Sequence, residues 1–211
     1  VQSFRDLTCE DIVSILVLPR THSDQQQGSC SYTDLLLRKR QAYDSRPAAG
    51  TATVFVAYCR RYKFVDFVAA LSDFSDKYLW IDMWSADQTE LIDEPIDAEW
   101  LAAFEKTVKE IGHTVVMFDR WENATPLSRL WCLYELAITA STSNTFGVVL
   151  LPKGATDVSQ TMPQRYKELV DSVQIDFNGA NVEDHNERGL LIGALGGATL
   201  VDRKDEIQGM L

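Results

Sequence analysis

The chain has 211 residues, 45% apolar and 24% charged, which excludes global disorder and suits one domain with a full hydrophobic core. Its 31 acidic and 20 basic residues leave a net charge of −11, and so negative a surface repels a phosphate backbone, so nucleic acid is excluded as a general partner. No apolar run approaches the roughly 20 residues of a membrane-spanning helix.

The chain opens on Val1 with no signal peptide, which reads as a piece of a longer protein. Cys9, Cys30, Cys59 and Cys132 lie far apart, without a CxxC pair or a histidine at ligand spacing. They read as reduced thiols in a cytoplasmic protein without structural zinc, and no metal site is expected.

Residues 1–50 form a predicted helical leader and linker. Cys9 to Leu18 carries Ile12, Ile15 and Leu16 at helical spacing, and Pro19 is expected to end that helix. A polar loop from Thr21 to Ser29 follows. Ser31 opens a short amphipathic helix with Tyr32 and Leu35 to Leu37, and its basic end Arg38-Lys39-Arg40 reads as a solvated helix terminus. The stretch RPAAG, 46–50, reads as a linker.

From Thr51 the pattern alternates between strand and helix. TVFVAY (53–58) is a β-branched and aromatic run of the kind a buried parallel strand requires, and Phe64, Phe67, Val68 and Leu71 then recur at helical spacing. YLWIDM (78–83) is the second predicted strand, followed by a long acidic loop, 84–97. A helix over 98–111 with Leu101, Phe104 and Val108 on one face ends at Gly112, and 113–118 is the third strand. The loop DRWENATP leads into a helix over 126–140, and 146–151 is the fourth strand. A helix from Pro163 to Val170, a fifth strand over 173–177 and helices over 186–195 and 202–211 complete the expectation. Repeated strand–helix units imply a parallel sheet covered on both faces, with ligands at the carboxyl ends of its strands.

Two groups of residues could carry chemistry there. In PLSRLWCLYELAITA (126–140), helical spacing puts Glu135 on one stripe with Trp131 and Ile138, with no Lys or Arg at the neighbouring positions. Either Glu135 reaches water at the edge of the stripe, or it is desolvated and its pKa rises. The first strand exits into Cys59-Arg60-Arg61-Tyr62-Lys63, and the third into Asp119-Arg120-Trp121. Cations, rings and one carboxylate suit a nucleotide, although the same cations would also serve to cap a helix. The glycines of GALGG (193–197) do not follow a strand, and neither a P-loop nor a GxSxG nucleophile is present. Cys132, within an apolar helix, reads as a structural thiol.

SRLWCLYEL (128–136) resembles the signature helix of TIR (Toll/interleukin-receptor) domains, and TVFVAYCRRYKFVDFVAAL (53–71) resembles their opening strand, basic loop and first helix. LWIDM with its long loop is similar to their second strand and BB loop, and AFEKTVKEIGHTVVMFDRW (103–121) to the helix and strand before the signature. The likeness spans about Thr51 to Leu195 and is greatest to TIR-like domains of large proteins from single-celled eukaryotes. It implies an α/β flavodoxin-like three-layer sandwich with a five-stranded parallel sheet: a leader over 1–50, then a TIR-like domain over 51–211.

In enzymatic TIR domains the glutamate of this helix cleaves the nicotinamide–ribose bond of NAD. The resemblance therefore implies Glu135 as the catalytic residue, with NAD as substrate rather than a prosthetic group. It places Tyr58, Arg60 and Arg61 on the phosphate side, and Trp84, Trp121 and Trp131 around the rings. AYCRRY departs from the usual text at the first-strand exit, and the acidic BB loop lacks a clear counterpart. Three functions follow: an assembly-activated NAD glycohydrolase or cyclase in signalling or innate immunity, a non-catalytic scaffold that binds other TIR domains, and, least supported, a phospho-acceptor domain.

Overall fold

The computed structural model describes residues 3–22, 28–43, 45–142, 144–156, 173–182, 185–196 and 200–211. It is an α/β fold built on a four-stranded parallel sheet in the order β4-β3-β5-β6, flanked by helices. The strands are β3 (Val54–Ala57), β4 (Leu79–Trp80), β5 (His113–Phe118) and β6 (Thr145–Leu150). A separate antiparallel ribbon joins β1 (Ala42–Tyr43) to β2 (Arg46–Pro47), of which only β2 lies in the 46–50 stretch read as a linker. The chain divides into two compact units, Val1–Val56 with Arg60–Ile96, and Ala57–Cys59 with Asp97–Leu211.

The first unit begins with α1 (Cys9–Ile12), capped by a reciprocal pair in which Thr8 accepts from the Asp11 amide and Asp11 accepts from the Thr8 amide. The expectation that Pro19 ends this helix is corrected. Val13–Val17 winds as a wider π turn, and α2 (Leu18–Thr21) carries the helix through the proline. A π turn changes the hydrogen-bond register, which accommodates a residue that lacks an N–H donor. Ser31 caps α3 (Tyr32–Arg38) as expected. In β3 all four residues are buried, and Val54 and Phe55 pair with Leu79 and Trp80 of β4. α4 (Phe64–Ala70) buries Phe67, but Val68 lies 50% exposed.

The second predicted strand is shortened to two residues. Asp82 opens a one-turn helix, α5 (Asp82–Ser85), in which the Trp84 and Ser85 amides both donate to the Ile81 carbonyl. A second short helix, α6 (Glu90–Asp93), also lies within the stretch read as a loop.

The second unit is longer in its elements. α7 (Ala98–Ile111) starts on the Asp97 side chain and buries Leu101, Phe104 and Val108. It ends at Gly112, whose φ of 73° is the left-handed conformation that favours glycine. β5 and β6 run in register from His113 beside Thr145 to Phe118 beside Leu150. The helix α8 (Leu130–Ala140) packs against α7, α9 (His185–Ala194) and α10 (Leu200–Met210). It begins later than expected because residues Thr125–Ser128 form a separate 3-10 turn.

Among the described residues the sheet has four strands, one short of the five expected. Over 173–177 burial alternates as in a strand, with Val173, Ile175 and Phe177 inside. Yet the Val173 carbonyl accepts from the Gln208 side chain, and the Asp176 carboxylate accepts from the Asn178 amide to form a turn. The first bond occupies a carbonyl that a strand neighbour would otherwise hold, and the second turns the chain at the end of the segment. The expected helix from Pro163 to Val170 lies outside the described residues.

Candidate active site

In the second unit, the site is built around the start of α8. The Asp119 carboxylate at the end of β5 accepts from both the amide (2.9 Å) and the hydroxyl (2.9 Å) of Thr125, which fixes the turn leading to the helix. Arg129 precedes the first helical residue in extended conformation and offers no side-chain cap. Instead the Leu130 amide donates to the Asn181 carbonyl, and the Asn181 amide donates to the Ser128 carbonyl. Main chain from elsewhere in the unit thus satisfies a helix terminus that the local sequence leaves open.

The exit of the first strand is tied to this helix by two sulfur contacts. The Cys132 thiol donates to the Tyr58 carbonyl at 3.4 Å, and an Arg129 Nη1–H donates to the sulfur of Cys59 at 3.5 Å. All four cysteines are buried, which suits structural sulfur. One turn beyond Cys132 stands Glu135. It is half-buried, its Oε2 is shielded from solvent, and its main-chain carbonyl accepts from the Thr139 hydroxyl. The phenolic oxygen of Tyr58 is similarly enclosed. A carboxylate in such surroundings is suited to stabilise a cationic centre, because few water dipoles compete with it.

Two tryptophans of the predicted site belong to this unit. Trp131 donates its indole N–H to Glu187 at 2.8 Å and meets Trp100, Phe104 and Tyr134 edge-on at 6.0–6.3 Å between ring centroids. Its ring is therefore part of an aromatic cluster. Trp121 lies edge-on to Phe118 at 6.0 Å. Burial, and secondarily the charge of Glu105, push the Tyr134 phenol up to about 12.

Arg60, Arg61 and Trp84 belong to the first unit. Arg60 reaches Asp82 Oδ2 through Nε at 2.8 Å and Nη2 at 2.6 Å, donates to Gln88 Oε1 at 2.8 Å, and lies 3.7 Å from Glu10. Arg61 is exposed. Trp84 packs against Tyr32 at 5.3 Å and Phe64 at 6.3 Å, and lines a groove of about 300 Å³ with Tyr32, Leu36, Gly50 and Tyr78.

The sequence reading missed Gln88 and the helix-starting role of Asn181. A lone glutamine in a polar loop has no periodicity to mark it, and Asn181 acts through its main chain, where residue type leaves no trace. Among the described residues, no group of three His, Cys, Asp or Glu side chains could hold a metal ion, and no helix is long and apolar enough to cross a membrane. No family model matches the chain, and comparison with curated proteins and with solved structures likewise gives no match.

Proposed function

We propose that this chain is a TIR-type NAD glycohydrolase or cyclase of the cytoplasm, active on assembly with other TIR domains and serving signalling or defence. The observation that supports the reading is the bond from the Cys132 thiol to the Tyr58 carbonyl, which joins the first-strand exit to the Glu135 helix within one unit. The sheet is one strand short of the TIR pattern, while the order of the first four strands and of the signature helix agrees with it.

In this reading Glu135 holds the ribose hydroxyls and stabilises the positive charge that develops as the bond to nicotinamide breaks. Nicotinamide leaves neutral with the bonding electron pair, and a water or a nucleophile within the substrate completes the ribose carbon. Tyr58, Trp121 and Trp131 support the carboxylate or its ligand from the same unit. The test is nicotinamide release from NAD at high protein concentration with a crowding agent. Glu135→Ala is expected to lower release by about 100-fold or more, as loss of a charge-stabilising group does, while the thermal melt is kept. Unchanged turnover rejects the assignment.

A second reading is a scaffold that binds other TIR domains without turnover. It is favoured by Ile92, which stands 67% exposed on α6 in the segment that corresponds to the BB loop. Sedimentation of wild type and Ile92→Glu separates the two readings: self-association lost in the variant, with no nicotinamide released by wild type, supports the scaffold.

A further inference from the structure

The side chain of Arg60 connects parts of the first unit that are distant in sequence. Its main chain is held by the N-terminal segment: the Glu10 amide donates to the Arg60 carbonyl at 3.0 Å. Beside it, the Cys9 amide donates to the Tyr62 carbonyl at 2.9 Å and the Phe64 amide to the Leu7 carbonyl at 2.8 Å. Lys63 adds an ion pair with Asp6. The leader is anchored in turn, with Cys9, Ile12, Val13 and Val17 buried.

The guanidinium then grips residues 82–88. Asp82 receives two of its N–H groups and turns its other oxygen to the Met83 amide, which starts α5. Gln88 is 2% exposed, and its amide bridges three groups: Oε1 accepts from Arg60, and Nε2 donates to the carbonyls of Asp82 and Ala86. A buried amide of this kind is stable only while its partners stay in place. α5 and α6 have four residues each, far below the length at which a helix persists on its own.

We propose that Arg60 is a positioning residue that latches the 82–93 segment, Ile92 included, to the N-terminal leader. The leader sets the Arg60 main chain, the guanidinium sets Asp82 and Gln88, and those two hold α5 and the chain that enters α6, whose first amides donate to Asp87. An event that draws the leader away releases 82–93. The latch holds whether or not Glu135 acts on NAD.

Hydrogen–deuterium exchange followed by mass spectrometry on the full chain tests it. Arg60→Met keeps the aliphatic stem and removes the fork. Exchange over 82–93 is expected to rise by about tenfold or more, the factor that follows from leaving a buried polar group unsatisfied, with residues 113–140 unchanged. Arg61→Met, at the exposed neighbour, is expected to leave 82–93 at the wild-type rate. Acceleration spread evenly over the chain, or none over 82–93, overturns the proposal. Should Arg60→Met lose its cooperative melt, Gln88→Met probes the link from the other side: faster exchange confined to 82–93 supports the latch, and an even or absent change overturns it. Cys9→Pro tests the leader: proline is accepted at a first helical position, and the change removes the donor to Tyr62. Faster exchange over 82–93 supports the coupling, and an unchanged rate overturns the leader's part in it.

Discussion

The two units of this protein are stabilised differently. In the second, eight of the 11 residues of α8 are buried, and the helix lies among three others. Its strands β5 and β6 pair over six residues each. Apolar contact is spread widely around that helix. In the first unit the helices are short, large apolar side chains such as Ile15, Val68 and Ile92 face solvent, and a polar network around Arg60 adds to the buried apolar contacts. Apolar burial is non-directional and roughly additive with area, whereas a hydrogen-bonded network fails when one member is removed. The second unit should therefore respond to lost volume, and the first to lost polar atoms.

The largest expected effect is in the second unit. Leu133 is wholly buried in α8, and Leu133→Ala removes both its transfer energy and the packing around the resulting cavity. The expected cost is about 2–5 kcal/mol, read from the midpoint of denaturant unfolding. A smaller effect is expected from Thr8→Ala in the first unit, which removes the capping hydroxyl from the start of α1. That loss should be about 1 kcal/mol, with faster amide exchange concentrated in the leader. If Thr8→Ala cost as much as Leu133→Ala, or if its effect spread evenly through both units, the contrast would not stand.

The same contrast decides what was legible in the sequence. α7 is amphipathic over four turns and bounded by Asp97 and Gly112, so its limits follow from period and caps. β5 follows from six strand-forming residues bounded by a glycine and an aspartate. For Glu135 the helical period gave apolar neighbours and left open whether the carboxylate reaches water; it is half-buried. In the first unit the Ser31 cap and the helix from Phe64 were legible, but the signal over 78–83 was local and misleading. YLWIDM has the composition of a strand, yet Asp82 turns a helix because it is held by Arg60, a contact 22 positions away. Residues 173–177 show the limit of period itself. Alternation reports which side chains face inward, and these do, but it carries no information on whether a neighbouring strand is there to pair.

The smallest effect sharpens the comparison inside the well-packed unit, where a polar atom is tested against an apolar background. The Tyr134 phenol is raised from 10.0 to about 12, first by burial and then by the charge of Glu105. Between those values the unfolded chain releases this proton while the folded chain retains it, so folding becomes less favourable as pH rises. The stability linked to Tyr134 is thus complete below about pH 10 and is lost as pH climbs through about 12. Tyr134→Phe removes the titrating group and keeps the ring, which stacks near Phe104 at 6.4 Å. The variant should lose less stability than wild type across that window, measured as denaturant midpoints at a series of alkaline pH values. Parallel curves would mean that the phenol titrates alike in both states, and hence that solvent reaches this face of α8. The contrast between an apolar unit and a polar-stapled one would then be weakest where it now looks strongest.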